Sequence, residues 1–297
     1  MTNPHFLTPG DTIGICAPAG KVNSHQVKEA IKLYESWGLK VITTPSLFNN
    51  HFRYAGTHEE RKNDFQELIN HPDIKAIFCA RGGYGCNKIL DQLDFTAFNT
   101  HPKWVLGFSD ITQIHARLNQ LKIESIHAPM PNSILNGSDK SIENTRKLLF
   151  GELPSYTFEA HEYNRTGKAT GDLVGGNLAL IVSLLGTPLE LDAKDKILFI
   201  EDIDEYWYHH DRMINQLKRA GKLSKLKGLI VGQFSDMKDS QDSFGTDPLT
   251  SIREHVAEYN FPVVYNFPAG HVKDNNPLVL GRKINLEVNL EYSKVFY

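Results

Sequence analysis

Ala76-Ile77-Phe78-Cys79-Ala80-Arg81-Gly82-Gly83-Tyr84-Gly85 and, further along, Trp104-Val105-Leu106-Gly107-Phe108-Ser109-Asp110-Ile111 follow one pattern: a short apolar run, a turn, then a helical pattern. An uncharged run of this length bounded by glycine reads as a strand buried on both faces. Working outward, Thr12 to Ala17 is another such run, ended by Pro18 and Gly20. A helix pattern follows from Ser24, with Val27, Ile31, Tyr34 and Trp37 on one face and Gly38 as its stop. Val41 to Thr43 is the next strand, and Thr57 with Glu60 forms a capping box opening a helix with Phe65, Leu68 and Ile69 inward. Strand and helix alternating this way predict a parallel sheet covered on both faces. Ligands of such sheets bind beyond the carboxyl ends of the strands, so the loops after Ala80 and Leu106 are where chemistry is expected.

Around Gly151 to Gly167 the alternation breaks at Pro154, Ser155, Asn164, Thr166 and Gly167. The expected organisation is therefore an α/β domain over 1–152, a linker over 153–166 and a mixed α/β domain over 167–297. The second half offers an apolar helix at Leu178 to Leu185 and a strand at Ile197 to Ile200. An amphipathic helix follows, with Trp207, His210, Ile214 and Leu217 on one face and Gly221 as its stop. Leu229 to Val231, Val263 to Tyr265 and the alternation Ile284, Leu286, Val288, Leu290 are further strands.

Length and composition set bounds. The 297 residues suit two domains, and 40% hydrophobic with 23% charged residues is ordinary globular usage. A net charge of −3 argues against nucleic acid as the main partner, since neutralising phosphates needs a basic excess. The longest apolar stretch, near Leu178 to Leu185, is far short of the ~20 residues of a bilayer span. The polar start Met-Thr-Asn-Pro-His lacks the apolar core of a signal peptide, and three cysteines (Cys16, Cys79, Cys86) fit a reducing compartment. A cytoplasmic protein without membrane or nucleic-acid partners is expected.

Four places carry candidate chemistry. Ser109 sits on a strand-to-helix turn, where a hydroxyl is held over the sheet beside free helix-start amides. The local pattern lacks the second glycine of Gly-x-Ser-x-Gly, and Asp110 with Gln113 makes a capping box, the reading that local sequence favours. Arg81 to Gly85 is a glycine loop able to bring backbone amides close to a ligand, or simply a tight turn. Glu201 to Arg212 is rich in acids and histidines. Glu201 at a strand end suits a carboxylate that orients an imidazole, a metal site is a second possibility, and His210 on the apolar face suits the core. His271, in Pro268-Ala269-Gly270-His271, is placed as a general base would be, and equally as an ordinary loop histidine.

Together these segments resemble the LD-carboxypeptidase family, serine peptidases of the muramoyltetrapeptide carboxypeptidase type. The resemblance runs from Gly10-Asp11-Thr12-Ile13-Gly14-Ile15 and Tyr54-Ala55-Gly56-Thr57 through Cys79–Gly85 and Gly107–Thr112. It continues with Gly175-Gly176-Asn177-Leu178, Leu198–Asp202 with Asp211-Arg212-Met213, Gly270-His271 and Leu280-Gly281. It implies an N-terminal flavodoxin-like, glutamine-amidotransferase-like domain and a C-terminal swivelling domain with a β-barrel-like sheet, the active site lying between them. It also implies Ser109 as nucleophile, His271 as general base, Glu201 as orienting acid, and the amides of Asp110 and the Gly82–Gly83 loop, Gly83 foremost, as oxyanion hole. No metal or other cofactor is implied. Arg81 and Tyr84 become candidates for substrate contact, and a homodimer is implied.

The activity so implied is release of the terminal D-alanine from murein tetrapeptides in cell-wall recycling. Some family members instead cleave peptidyl-nucleotide antibiotics and confer self-immunity, which calls for an aromatic platform such as Tyr206 or Trp207. From other classes, a non-catalytic binder of a small anion or nucleotide on the glycine loop and a metallohydrolase using His209 and His210 are the alternatives.

Overall fold

The computed structural model describes residues 2–297. In the first part of the chain the elements are β1 (Thr12–Cys16), α1 (Ser24–Ser36), β2 (Lys40–Thr43), α2 (His58–Asn70), β3 (Ile74–Cys79), β4 (Trp104–Gly107), α3 (Thr112–Gln120), β5 (Ser125–His127) and α4 (Asp139–Leu149). There follow β6 (Ser155–Glu159), β7 (Gly167–Asn177), α5 (Leu178–Ser183), β8 (Ile197–Ile203), α6 (Trp207–Arg219), β9 (Gly228–Ser235) and α7 (Pro248–His255). The last strands are β10 (Val263–Val264), β11 (Leu278–Leu280), β12 (Lys283–Val288) and β13 (Tyr292–Phe296). Two compact units result. One takes the residues up to Glu152 together with Lys273–Leu280, the other Leu153–Val272 together with Gly281–Tyr297.

The first unit is built on six strands in the order β11-β5-β4-β3-β1-β2. β1 to β5 run parallel, and β11 closes the edge antiparallel to β5. Ile13, Ile15, Ile77, Phe78, Val105 and Leu106 are fully buried, the continuous burial expected of parallel strands. Asn23 caps α1, and the Thr57–Glu60 capping box of α2 forms as its spacing predicts. The far end of α2 is closed by buried Lys103, whose Nζ donates to the carbonyls of Leu68 (2.7 Å), Ile69 (2.9 Å) and His71. The returning segment is held by Ser141 Oγ, which donates to the Asn275 carbonyl at 2.6 Å, and by Asn144 Nδ2, which donates to Asn276 Oδ1 at 2.7 Å.

The second unit has a seven-stranded sheet in the order β10-β9-β8-β7-β12-β13-β6. β7 to β10 are parallel and the β7-β12-β13-β6 part is antiparallel. Past β6 the chain turns back to β10, where Arg165 and Val263 exchange backbone hydrogen bonds of 2.9 and 3.1 Å. The sheet is thus curled and barrel-like without a full ladder closing it. Its core gathers Val174, Leu178, Leu198, Ile200, Met213, Ile214 and Leu217.

Local composition misleads in three places. Residues 153–166, whose Pro, Asn and Gly content suggests a linker, contain β6, a strand of the second sheet. β7 is hidden by glycines at 167, 171, 175 and 176, which interrupt any apolar alternation. Leu290 does not extend the alternation of β12: it stands 89% exposed between β12 and β13. Among the described residues no helix is long and apolar enough to cross a membrane.

Candidate active site

The nucleophile candidate sits in the first unit. β4 ends at Gly107, and a 3₁₀ turn over Ser109–Ile111 leads into α3. Ser109 is half-buried and has φ +62°, a left-handed conformation that costs a residue with a side chain about 1–2 kcal/mol. The missing second glycine of the local pattern therefore did not prevent a strained elbow. Nor does Asp110 serve as the helix cap expected from its spacing to Gln113. The side chain is wholly buried: Oδ2 accepts the Cys86 N–H at 2.8 Å, and Oδ1 accepts Gln113 Nε2 at 2.9 Å. It ties the glycine loop to the elbow. Burial pushes its carboxyl above the usual carboxylate range, and the donated hydrogen bonds pull the other way.

That loop approaches Ser109 closely. A Cβ built on Gly82 would lie 2.9 Å from the Ser109 Cβ and 3.2 Å from the Asp110 nitrogen, so only glycine lets the loop lie against the elbow. Neighbouring segments hold it there. Gly20 N–H donates to the Gly82 carbonyl at 2.9 Å, and buried Arg61 donates through Nη1 to the carbonyls of Gly85 (3.0 Å) and Pro18. Asn132 accepts the Asn23 N–H at 2.6 Å and donates its own N–H to Ala80. Asn132 carries no pattern that sequence reasoning would single out, since it acts through backbone groups distant along the chain. Arg81 is exposed and donates Nη1 to the Lys21 carbonyl at 2.6 Å. Tyr84 lies under the Arg53 guanidinium, 5.3 Å from ring centre to Cζ, and its hydroxyl accepts Asn87 Nδ2.

The acid and base candidates meet in the second unit. Glu201, near the end of β8, is fully buried, and its Oε2 lies 2.7 Å from His271 Nδ1. The approach depends on Gly270, where a Cβ would fall 3.0 Å from that same oxygen. Burial alone would lower the His271 pKa. The charge and hydrogen bond of Glu201, with Asp202 and Asp236 beyond, outweigh it and raise the imidazole above its ordinary value. A carboxylate on one ring nitrogen fixes the tautomer and presents the other for proton transfer.

The rest of the acidic and histidine-rich stretch separates into unrelated partnerships. Asp202 receives Asn177 Nδ2 (2.8 Å) and the Ala179 N–H (2.9 Å) at the start of α5; burial and the neighbouring Glu201 push it up to about 7. His209 pairs with Glu205, and Asp211 accepts Ser251 Oγ and faces His255 Nε2, both at 2.8 Å. His210 is buried edge-on against Phe234 and is pushed down to about 4 by burial, the core role its helix face suggested. Among the described residues no three His, Cys, Asp or Glu side chains converge as a metal-holding group.

The chain is similar in sequence and fold to known proteins. The family model of the LD-carboxypeptidase N-terminal domain matches residues 13–128, and that of the C-terminal domain matches residues 170–286. A Bacillus subtilis protein named probable murein peptide carboxypeptidase is 35% identical over 286 residues, covering 94% of this chain and 90% of its own. The crystal structure of muramoyltetrapeptide carboxypeptidase from Oxalobacter formigenes superposes with a TM-score of 0.88 at 30% identity, over 96% of this chain and 98% of that one. The structure of MccF in complex with glutamyl sulfamoyl guanosine shares the fold, with a TM-score of 0.86 at 21% identity over 98% and 97% of the two chains. A match to both domain models, with a relative more than 30% identical over nearly the whole chain, places this protein in the LD-carboxypeptidase family.

Proposed function

We propose that the protein is a serine carboxypeptidase that hydrolyses the L,D-amide bond of murein tetrapeptides and releases the terminal D-alanine. The observation that carries the reading is the buried Glu201 carboxylate hydrogen-bonded to His271, an imidazole with raised basicity on a glycine-flanked loop. The strained Ser109 elbow against Gly82 supports it. The names of the Bacillus and Oxalobacter relatives point to the same substrate class.

In this scheme Ser109 Oγ attacks the carbonyl carbon before the terminal D-amino acid while its proton passes to Nε2 of His271. Negative charge developing on the carbonyl oxygen is met by the amides of Asp110 and Gly83, with Gly82 setting their approach. As the tetrahedral intermediate collapses the C–N bond breaks, and the leaving amine takes the proton from His271. Water, deprotonated by the same imidazole, then cleaves the acyl–Ser109 ester and restores the hydroxyl. Glu201 holds the ring and offsets its positive charge throughout. Arg81 and Tyr84, beside the glycine loop, are the residues offered to the substrate carboxylate. No step calls on a cofactor.

We place the activity in the cytoplasm, where peptide fragments of the wall are recycled; the three free, buried cysteines are compatible with that compartment. The family resemblance further implies a homodimer, checked by light scattering coupled to size exclusion. The deciding experiment is mass-spectrometric detection of D-alanine release from a defined L,D-tetrapeptide, with Ser109→Ala in parallel. Loss of at least about 10³-fold in kcat with folding retained is expected. Near-wild-type turnover of Ser109→Ala would refute the assignment. Running a peptidyl-nucleotide substrate alongside separates murein peptides from the antibiotic class of the MccF relatives.

A further inference from the structure

The second unit has a cavity of about 280 Å³ that the catalytic scheme leaves unused. Its wall includes Trp207, Gln233, Phe234, Met237, Leu249 and Asn266. The volume falls just under the roughly 300–1,000 Å³ typical of drug-sized ligand pockets, so it admits a single ring rather than an extended peptide. It opens at the carboxyl ends of the parallel strands, the edge where α/β sheets bind ligands. Phe234 on β9 is in register with Asp202 on β8, the residue after Glu201, and adjacent strands lie only about 4.8 Å apart. Gln233 is closer still to the His271 loop: its N–H donates to Ala269 at 2.9 Å and its Nε2 to Phe267 at 3.2 Å. The cavity therefore adjoins the acid–base pair.

Its chemistry is selective. The lining has no Lys, Arg, Asp, Glu or His. Trp207 and Phe234 supply aromatic surface, Met237 and Leu249 supply aliphatic surface, and the side-chain amides of Gln233 and Asn266 with the Trp207 indole N–H are neutral donors and acceptors. Among the described residues neither the Asn266 amide nor the Trp207 indole nitrogen is engaged in a protein hydrogen bond, and Asn266 is held at φ +60°. A murein tetrapeptide carries charge along most of its length, through its carboxylates and the amine of its dibasic residue. Each such charge would be desolvated here without a counter-charge. The neutral, ring-bearing part of a murein fragment is the N-acetylated amino sugar, whose apolar ring face suits an indole and whose hydroxyl and acetamido groups suit amides.

We infer that this cavity is a sugar subsite, built from Trp207, Gln233, Phe234 and Asn266, that binds the amino sugar of a muramoyl peptide beside the catalytic pair. The inference rests on the murein reading above. Its test compares kcat/KM for a tetrapeptide bearing an N-acetylmuramoyl group with that for the same peptide free, in wild type, Trp207→Ala and Asn266→Ala. The wild type favours the sugar-bearing substrate by about tenfold or more, chiefly through KM, and both variants bring the ratio towards one. Because the readout is a ratio within each protein, a partial folding defect cancels. N-acetylglucosamine, a neutral amino sugar, also quenches tryptophan fluorescence in the wild type and not in Trp207→Phe. Efficient cleavage of the free peptide with no preference for the sugar in wild type overturns the subsite and leaves the carboxypeptidase reading intact. A preference that survives both substitutions overturns it too, as does adenosine competing where the sugar does not. Cleavage of neither peptide defeats the murein reading and the subsite with it.

Discussion

Replacing Gly82 with alanine adds one methyl group where the glycine loop meets the Ser109 elbow. That methyl would stand 2.9 Å from the Ser109 Cβ, 3.2 Å from the Asp110 nitrogen and 3.2 Å from the Phe108 carbonyl oxygen. Optimal carbon–carbon contact is about 3.5–4.0 Å, so the loop and elbow must part by roughly half an ångström or more. Overpacking of this kind costs about 1–3 kcal/mol of stability. The larger effect is on catalysis, since the displaced atoms are the Cβ of the proposed nucleophile and an amide proposed for the oxyanion hole. A misplacement approaching 1 Å costs on the order of 10²-fold, so kcat for D-alanine release falls by about 10- to 100-fold with KM little changed. Steady-state kinetics on a defined tetrapeptide, with the unfolding midpoint measured in urea, supply both numbers. A Gly82→Ala enzyme with wild-type kcat would refute the claim that this contact sets the reacting geometry.

Three further outcomes follow from the same structure. A general base must be neutral to accept a proton, and Glu201 raises the pKa of His271, so if His271 is the base as proposed, kcat/KM in the wild type climbs with pH through a value above that of an ordinary imidazole. Glu201→Gln removes the charge and leaves burial, which lowers the pKa; the rising limb moves to lower pH while the plateau drops, and an unshifted limb would count against the pairing. Lys103→Met strands the carbonyls of Leu68, Ile69 and His71 at the buried end of α2, costing about 2–5 kcal/mol in urea unfolding, and a loss below about 1 kcal/mol would show that another donor closes the helix.

Much of the first unit was legible because its elements announce themselves locally. Runs such as Ile77 to Ala80 have no polar face to hide, and the Thr57–Glu60 cap is written in adjacent residues. The second unit was harder: β6 lies in a polar stretch and β7 is interrupted by glycines, so neither shows a clean alternation. For the candidate site, residue types were visible and their alliances were not. The spacing of Asp110 to Gln113 fits a cap, yet the carboxylate reaches instead to Cys86, a residue contributed by another strand's loop. Glu201 and His271 lie 70 positions apart, and only the pairing of strands and the loop after β10 brings them to hydrogen-bonding distance. Family resemblance supplied that link where periodicity had nothing to offer.

The return of Lys273–Leu280 has a bearing on how the molecule is made. Until those residues leave the ribosome, β5 ends the first sheet with its outer N–H and C=O groups waiting for β11. A nascent chain halted at Glu152 would therefore present an open strand edge, a template for pairing with its siblings, and a protease cut at that point would not yield a self-sufficient half. The half that carries Ser109 is thus completed only after residue 280 has been translated.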